Sequence, residues 1–92
     1  MQKVLDKMER MSHKSIEKWI YKNMHTDEEL AQEFNDMVAN IDARKEEAKA
    51  DGCDDIIDEL EEGYEWGLRL FFLRFNGFEE DEAVEYAEGC YC

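Results

Sequence analysis

Carboxylates are the residues whose types and spacing offer the most chemistry. Asp51, Asp55, Asp58, Glu62 and Glu65 are spaced by four, three, four and three positions, which aligns side chains along one side of a helix. Asp54, Glu59 and Glu61 widen the row into a band. At the helical rise of ~1.5 Å per residue the row covers about 21 Å, with a carboxylate roughly every 5 Å. Each strand of duplex DNA presents a phosphate every ~3.4 Å of axis, so two such faces side by side approach the charge density of a duplex. An ordinary solvated helix face mixes Lys with Glu in i,i+4 pairs. Between Asp51 and Leu68 there is no basic residue. Glu79, Glu80, Asp81, Glu82, Glu85 and Glu88 form a second cluster. Acids in a first helical turn suit the positive end of the helix dipole, but Glu85 and Glu88 lie beyond that turn.

Other chemistries fit the chain less well. An EF-hand loop over Asp51–Glu62 would have the terminal Glu, but Ile56 stands where the glycine belongs and Cys53 at a ligand position. The Glu-x-x-His pair of di-iron bundles is missing, since Arg10 and Lys22 stand three residues before His13 and His25. Cys90-x-Cys92 is too closely spaced for a structural zinc site, and no second pair supports it. Ser12, His13 and Ser15 are sequence neighbours without a G-x-S-x-G elbow, and no glycine-rich phosphate loop occurs. Neither catalysis nor a metal or other cofactor is expected.

Composition narrows the field further. The 92 residues hold 25 Asp and Glu against 11 Lys and Arg, a formal charge of -14. An apolar fraction of 43% separates the chain from acidic disordered tails, so one folded domain over 1–92 is expected. The opening MQKVLDKMERM has no apolar h-region, so no secretory signal is expected there. Arg69 and Arg74 interrupt the longest apolar stretch, which argues against a membrane span. Three cysteines in no disulfide pattern fit a reducing cytoplasm.

Charge is polarised along the chain. Residues 1–25 carry a net +3, residues 26–50 a net -5 and residues 51–92 a net -12. Lys3, Lys7, Arg10, Lys14, Lys18 and Lys22 are expected to face acids elsewhere in the fold or across a dimer. With Trp19 and Tyr21 they offer phosphate contact and stacking, but the overall charge opposes direct nucleic-acid binding.

Helical periodicity supplies the elements that position these residues. Val4, Leu5, Met8 and Met11 mark a first helix; Ile16, Trp19 and Ile20 mark a second, or the continuation of the first past a bend, with Ser15 as its cap. Thr26 and Glu29 fit a capping box opening a third helix, striped by Leu30, Phe34, Met37, Val38 and Ile41 and ended by Gly52. A fourth begins near Asp54 or Asp55, with Ile56, Ile57, Leu60, Tyr64, Leu68, Phe71, Phe72 and Phe75 on one face. Trp66, Leu70 and Leu73 make its second half apolar nearly all round, as befits a central or interface helix. Asn76-Gly77 closes it, and a short acidic helix follows over 79–88. The expected architecture is all-α, a compact bundle of four or five helices around a central apolar helix near 54–75.

With the runs DDIIDELEEGYE and FEEDEAVEYAE on a compact domain, the chain resembles the small acidic DNA-mimic anti-restriction proteins of phages, those of the T-even phages most of all. That resemblance implies a non-catalytic inhibitor. It would occupy the DNA-binding cleft of a host restriction endonuclease or nucleoid protein, in the host cytoplasm. The alternative reading is a helical protein–protein interaction module, binding through Trp66, Phe71, Phe72 and Phe75. Surplus apolar surface on the fourth helix also raises the expectation of a homodimer.

Overall fold

A computed structural model describes residues 2–89. It is an all-α bundle: α1 (Gln2–Arg10), α2 (His13–Asn23), a 3-10 turn (Met24–Thr26), α3 (Glu28–Asp51), α4 (Asp54–Phe75) and α5 (Glu80–Gly89). The expected helix class and the central place of the fourth helix are both observed. Cys90 and Cys92 lie outside the described residues.

Local polar chemistry sets the boundaries, at two places differently from expectation. The first two helices are separate, and Ser12 rather than Ser15 caps α2: the Ser15 backbone N–H donates to Ser12 Oγ at 3.2 Å. α3 is capped by Asp27, whose Oδ1 accepts from the Leu30 N–H at 3.1 Å. Thr26 is spent on the preceding turn, its hydroxyl donating to the Asn23 carbonyl. An extra 3-10 turn therefore shifts the cap by one residue. α3 ends at Gly52 with φ 72, where the Cys53 N–H reaches the Ala48 carbonyl at 2.8 Å. α4 ends in the same way at Gly77, φ 96, with the Phe78 N–H on the Leu73 carbonyl. Both are left-handed closures that glycine adopts without a Cβ penalty.

The core forms around the second half of α4. Leu68, Leu70, Phe71, Phe72 and Leu73 are buried there with Met8, Ile16, Ile20, Leu30, Phe34, Phe78, Ala83 and Ala87. Edge-on aromatic contacts join the helices: Trp19 of α2 on Phe72 at 4.6 Å, and Phe34 of α3 on Phe71 at 5.3 Å. Gly67 lets the Met37 thioether rest against the α4 backbone, where a Cβ would overlap it. Small Ala83 and Ala87 bring α5 onto α4. The chain's own helices thus cover Leu68, Leu70, Phe71, Phe72 and Leu73 of this apolar circumference, while Trp66 and Phe75 stay half-buried.

Beyond this core, the second half of α3 and the first half of α4 run on as an antiparallel hairpin arm. Ala48 is the only buried residue described between Phe34 and Gly67. Ile41, Ile57 and Leu60 are half-buried, and Ile56, expected on the apolar face, is 46% exposed.

Candidate functional site

The arm holds much of the protein's charge. Residues 42–62 contain ten acids and three bases, a net -7, half of the whole chain's -14. Asp54, Asp55, Asp58, Glu59, Glu61 and Glu62 are all exposed on the first half of α4. Among the described residues, none of Asp54, Asp55, Asp58, Glu59 and Glu61 has a cation within ion-pair distance. Such a row persists because each carboxylate keeps its hydration while the helix is held by its pairing with α3 and by Asp54 and Asp55 at the positive end of its dipole.

Two members of the expected row are placed differently. Asp51 is the last residue of α3, and the left-handed turn at Gly52 separates it from the α4 face. Glu65 is half-buried at the other end, its Oε1 3.4 Å from His13 Nδ1. His13 Nε2 lies 3.1 Å from Arg69 Nη2. Arg69 can only donate, so Nε2 accepts from it, and the Nδ1 edge of the ring faces the Glu65 carboxylate. This cluster ties the start of α2 to α4, a role that the sequence neighbours Ser12-His13-Lys14 did not signal.

The second acidic cluster lies on a different helix from the first. Glu79, Glu80, Asp81, Glu82 and Glu85 belong to α5 and its approach, just past the end of α4; all are exposed except Glu82, which is half-buried. The acids therefore fall on two different helices rather than on one continuous helical row.

The N-terminal bases do not pair with these acids. Lys3, Lys7, Arg10, Lys14, Lys18 and Lys22 are exposed, and none has a carboxylate within ion-pair distance among the described residues. The expected internal neutralisation is not made. Arg74 does make such a pair, its Nη1 donating to Glu33 Oε2 at 3.0 Å.

The aromatic surface of the alternative reading is also reduced. Phe71 and Phe72 are 6% and 1% exposed and belong to the core, leaving Trp66 and Phe75 half-buried. Tyr64 faces α2 and α3. Burial and the Glu17 carboxylate raise its phenol well above the ordinary value, with Tyr21 and Asp42 adding to the shift. Tyr21 is raised for related reasons, burial first and then Glu17 and Asp42.

Among the described residues no three His, Cys, Asp or Glu side chains converge as a metal ion would require, and no helix is long and apolar enough to cross a membrane. Fold and surface together define an all-α bundle with an acidic helical arm. No family model, curated protein or solved structure matches the chain.

Proposed function

We propose that the protein is a non-catalytic DNA mimic. Its carboxylates would stand in for phosphates in the basic cleft of a host nuclease, such as a restriction endonuclease, or of a nucleoid protein in the host cytoplasm. The observation that carries this reading is the exposed row Asp54, Asp55, Asp58, Glu59 and Glu61 on a preformed helix, with no cation in ion-pair reach among the described residues. A cleft built for phosphates focuses a positive field, and a row already ordered meets it at little entropic cost. The α5 cluster strengthens the case. It adds a second exposed set of carboxylates on another helix, Glu79, Glu80, Asp81 and Glu85. Like-charge repulsion on the arm destabilises the fold, a burden that a binding role accounts for and simple hydration does not.

The test is capture of a DNA-binding protein on the immobilised chain, followed across a salt series and against duplex DNA. Binding should weaken steeply with salt and be displaced by DNA. Changing Asp55, Asp58 and Glu61 together to Lys should abolish it while helicity is retained, since all three are exposed. Binding that survives this reversal and stays flat with salt would reduce the row to a solvated face.

A further inference from the structure

A groove of about 550 Å³ runs between α3 and α4 and opens toward α5. Its floor is apolar: Met37 and Ile41 from α3, and Trp66, Leu70 and Phe71 from α4. We propose that this groove seats an apolar side chain of a Lys- or Arg-bearing segment of the protein partner, with its cationic end over Glu80. The proposal rests on the reading of the protein as the binder of a basic partner, and adds to it the site that gives the contact specificity.

Charge around the groove selects that occupant and its direction. Glu33, Asp36 and Glu80 line it together with Arg44 and Arg74. Arg74 is tied to Glu33 at 3.0 Å, so this pair cancels internally. Asp36 and Glu80 remain against Arg44. Exposed Glu79 and Asp81 flank Glu80, making the α5 end anionic, while Arg44 marks the opposite end. An acidic or purely apolar segment has no matching cation to offer the α5 end. A basic one places charge over Glu80 and its apolar side chain on Trp66. Such a division is common at interfaces, where rim charges steer encounter and an aromatic in a desolvated pocket holds the complex.

Two short peptides of equal length and charge test this, one alternating lysine with leucine and the other lysine with serine. Each is titrated into the full chain while the two tryptophan indole N–H resonances are followed. The lysine–leucine peptide should bind about tenfold tighter, the worth of roughly one buried aliphatic anchor. It should shift the Trp66 resonance and leave Trp19 unmoved, and the tenfold gap should persist as salt weakens both peptides. Trp66→Ala should close the gap. Should that variant unfold, exposed Glu80→Lys serves instead and should weaken the lysine–leucine peptide several-fold. Equal affinities overturn the groove as an anchor site, while salt-dependent binding of both peptides would leave the acidic-surface reading standing. Binding of neither overturns both. A Trp66 shift produced by raising the protein's own concentration would make a second copy the occupant and overturn the proposal.

Discussion

In the second half of α4, Leu68 and Leu70 through Leu73 are buried, and α2, α3 and α5 all pack on the helix. In the first half, Ile57 and Leu60 are only half-buried, Ile56 is 46% exposed, and the other sides carry carboxylates. One continuous helix thus passes from a segment held by apolar burial to one held by caps, backbone hydrogen bonds and a single partner helix. The difference separates two tasks. The wrapped half supplies stability, of order 1.5–3 kcal/mol for each large apolar side chain it buries. The arm is left to carry charge that a core could not accommodate, since an unpaired buried carboxylate costs far more than an exposed one.

Truncation inside the wrapped half should show the largest effect. Phe72→Ala removes a ring that is 1% exposed and touches Trp19, and should cost about 3–5 kcal/mol in urea unfolding. The matching change on the arm, Ile56→Ala, should cost well under ~1 kcal/mol. Similar losses at the two sites would erase the distinction.

Next in size is the joint of the arm. Gly52 sits at φ 72, and a Cβ added there would meet nothing within 4 Å, so Gly52→Ala encounters backbone strain alone. A loss of about 1–2 kcal/mol is expected, against a gain of about 1 kcal/mol for Gly63→Ala, a mid-helix glycine on the same arm whose added Cβ would also meet nothing within 4 Å. Asp27→Ala should cost about 1 kcal/mol through the lost cap of α3, and Thr26→Ala less. Reversal of that order would restore Thr26 as the cap.

Charge on the arm should have a smaller effect of opposite sign. Asp58→Lys places a cation one helical turn from Asp54, Asp55, Glu61 and Glu62, and should stabilise by about 0.2–0.5 kcal/mol per favourable pair at low salt. The gain should fade as salt rises. Destabilisation by this substitution would mean that the carboxylate has a structural partner.

The last effect vanishes at neutral pH. Tyr64 and Tyr21 have phenols raised in the folded state, so above about pH 10 the unfolded chain loses those protons first. Stability should then fall as pH rises, because the folded state binds more protons than the unfolded one. Tyr64→Phe should flatten that slope, as read by urea melts between neutral and alkaline pH.

Much of this organisation is legible in the sequence because it is local. The 3.6-residue recurrence of Leu30, Phe34, Met37 and Val38, the acids after Asp27, and the glycines at 52 and 77 each act within a turn or two of helix. The acidic row on α4 is legible for the same reason, since spacing alone aligns Asp55, Asp58 and Glu62. The choice between Thr26 and Asp27 as cap was not legible, because both residue types cap helices and an intervening 3-10 turn decided between them.

What only the tertiary structure decided is where each helix finds its neighbours. Periodicity marks Ile56 and Phe72 alike as apolar, yet one is exposed and the other buried, because Phe72 lies against Trp19 of α2 in the core while Ile56 is at the tip of the arm. Asp51 and Asp55 share a helical spacing, yet a left-handed glycine between them puts them on different helices. His13 meets Glu65 and Arg69 across more than fifty residues, while the bases from Lys3 to Lys22 pair with no acid among the described residues. Long-range pairing of this kind depends on packing that spacing does not encode. Composition and short-range pattern therefore determined the helices, their caps in outline and the sign of the surface. Packing around one half of α4 determined which apolar residues became core, which carboxylates stayed free, and where a groove was left open between α3 and α4.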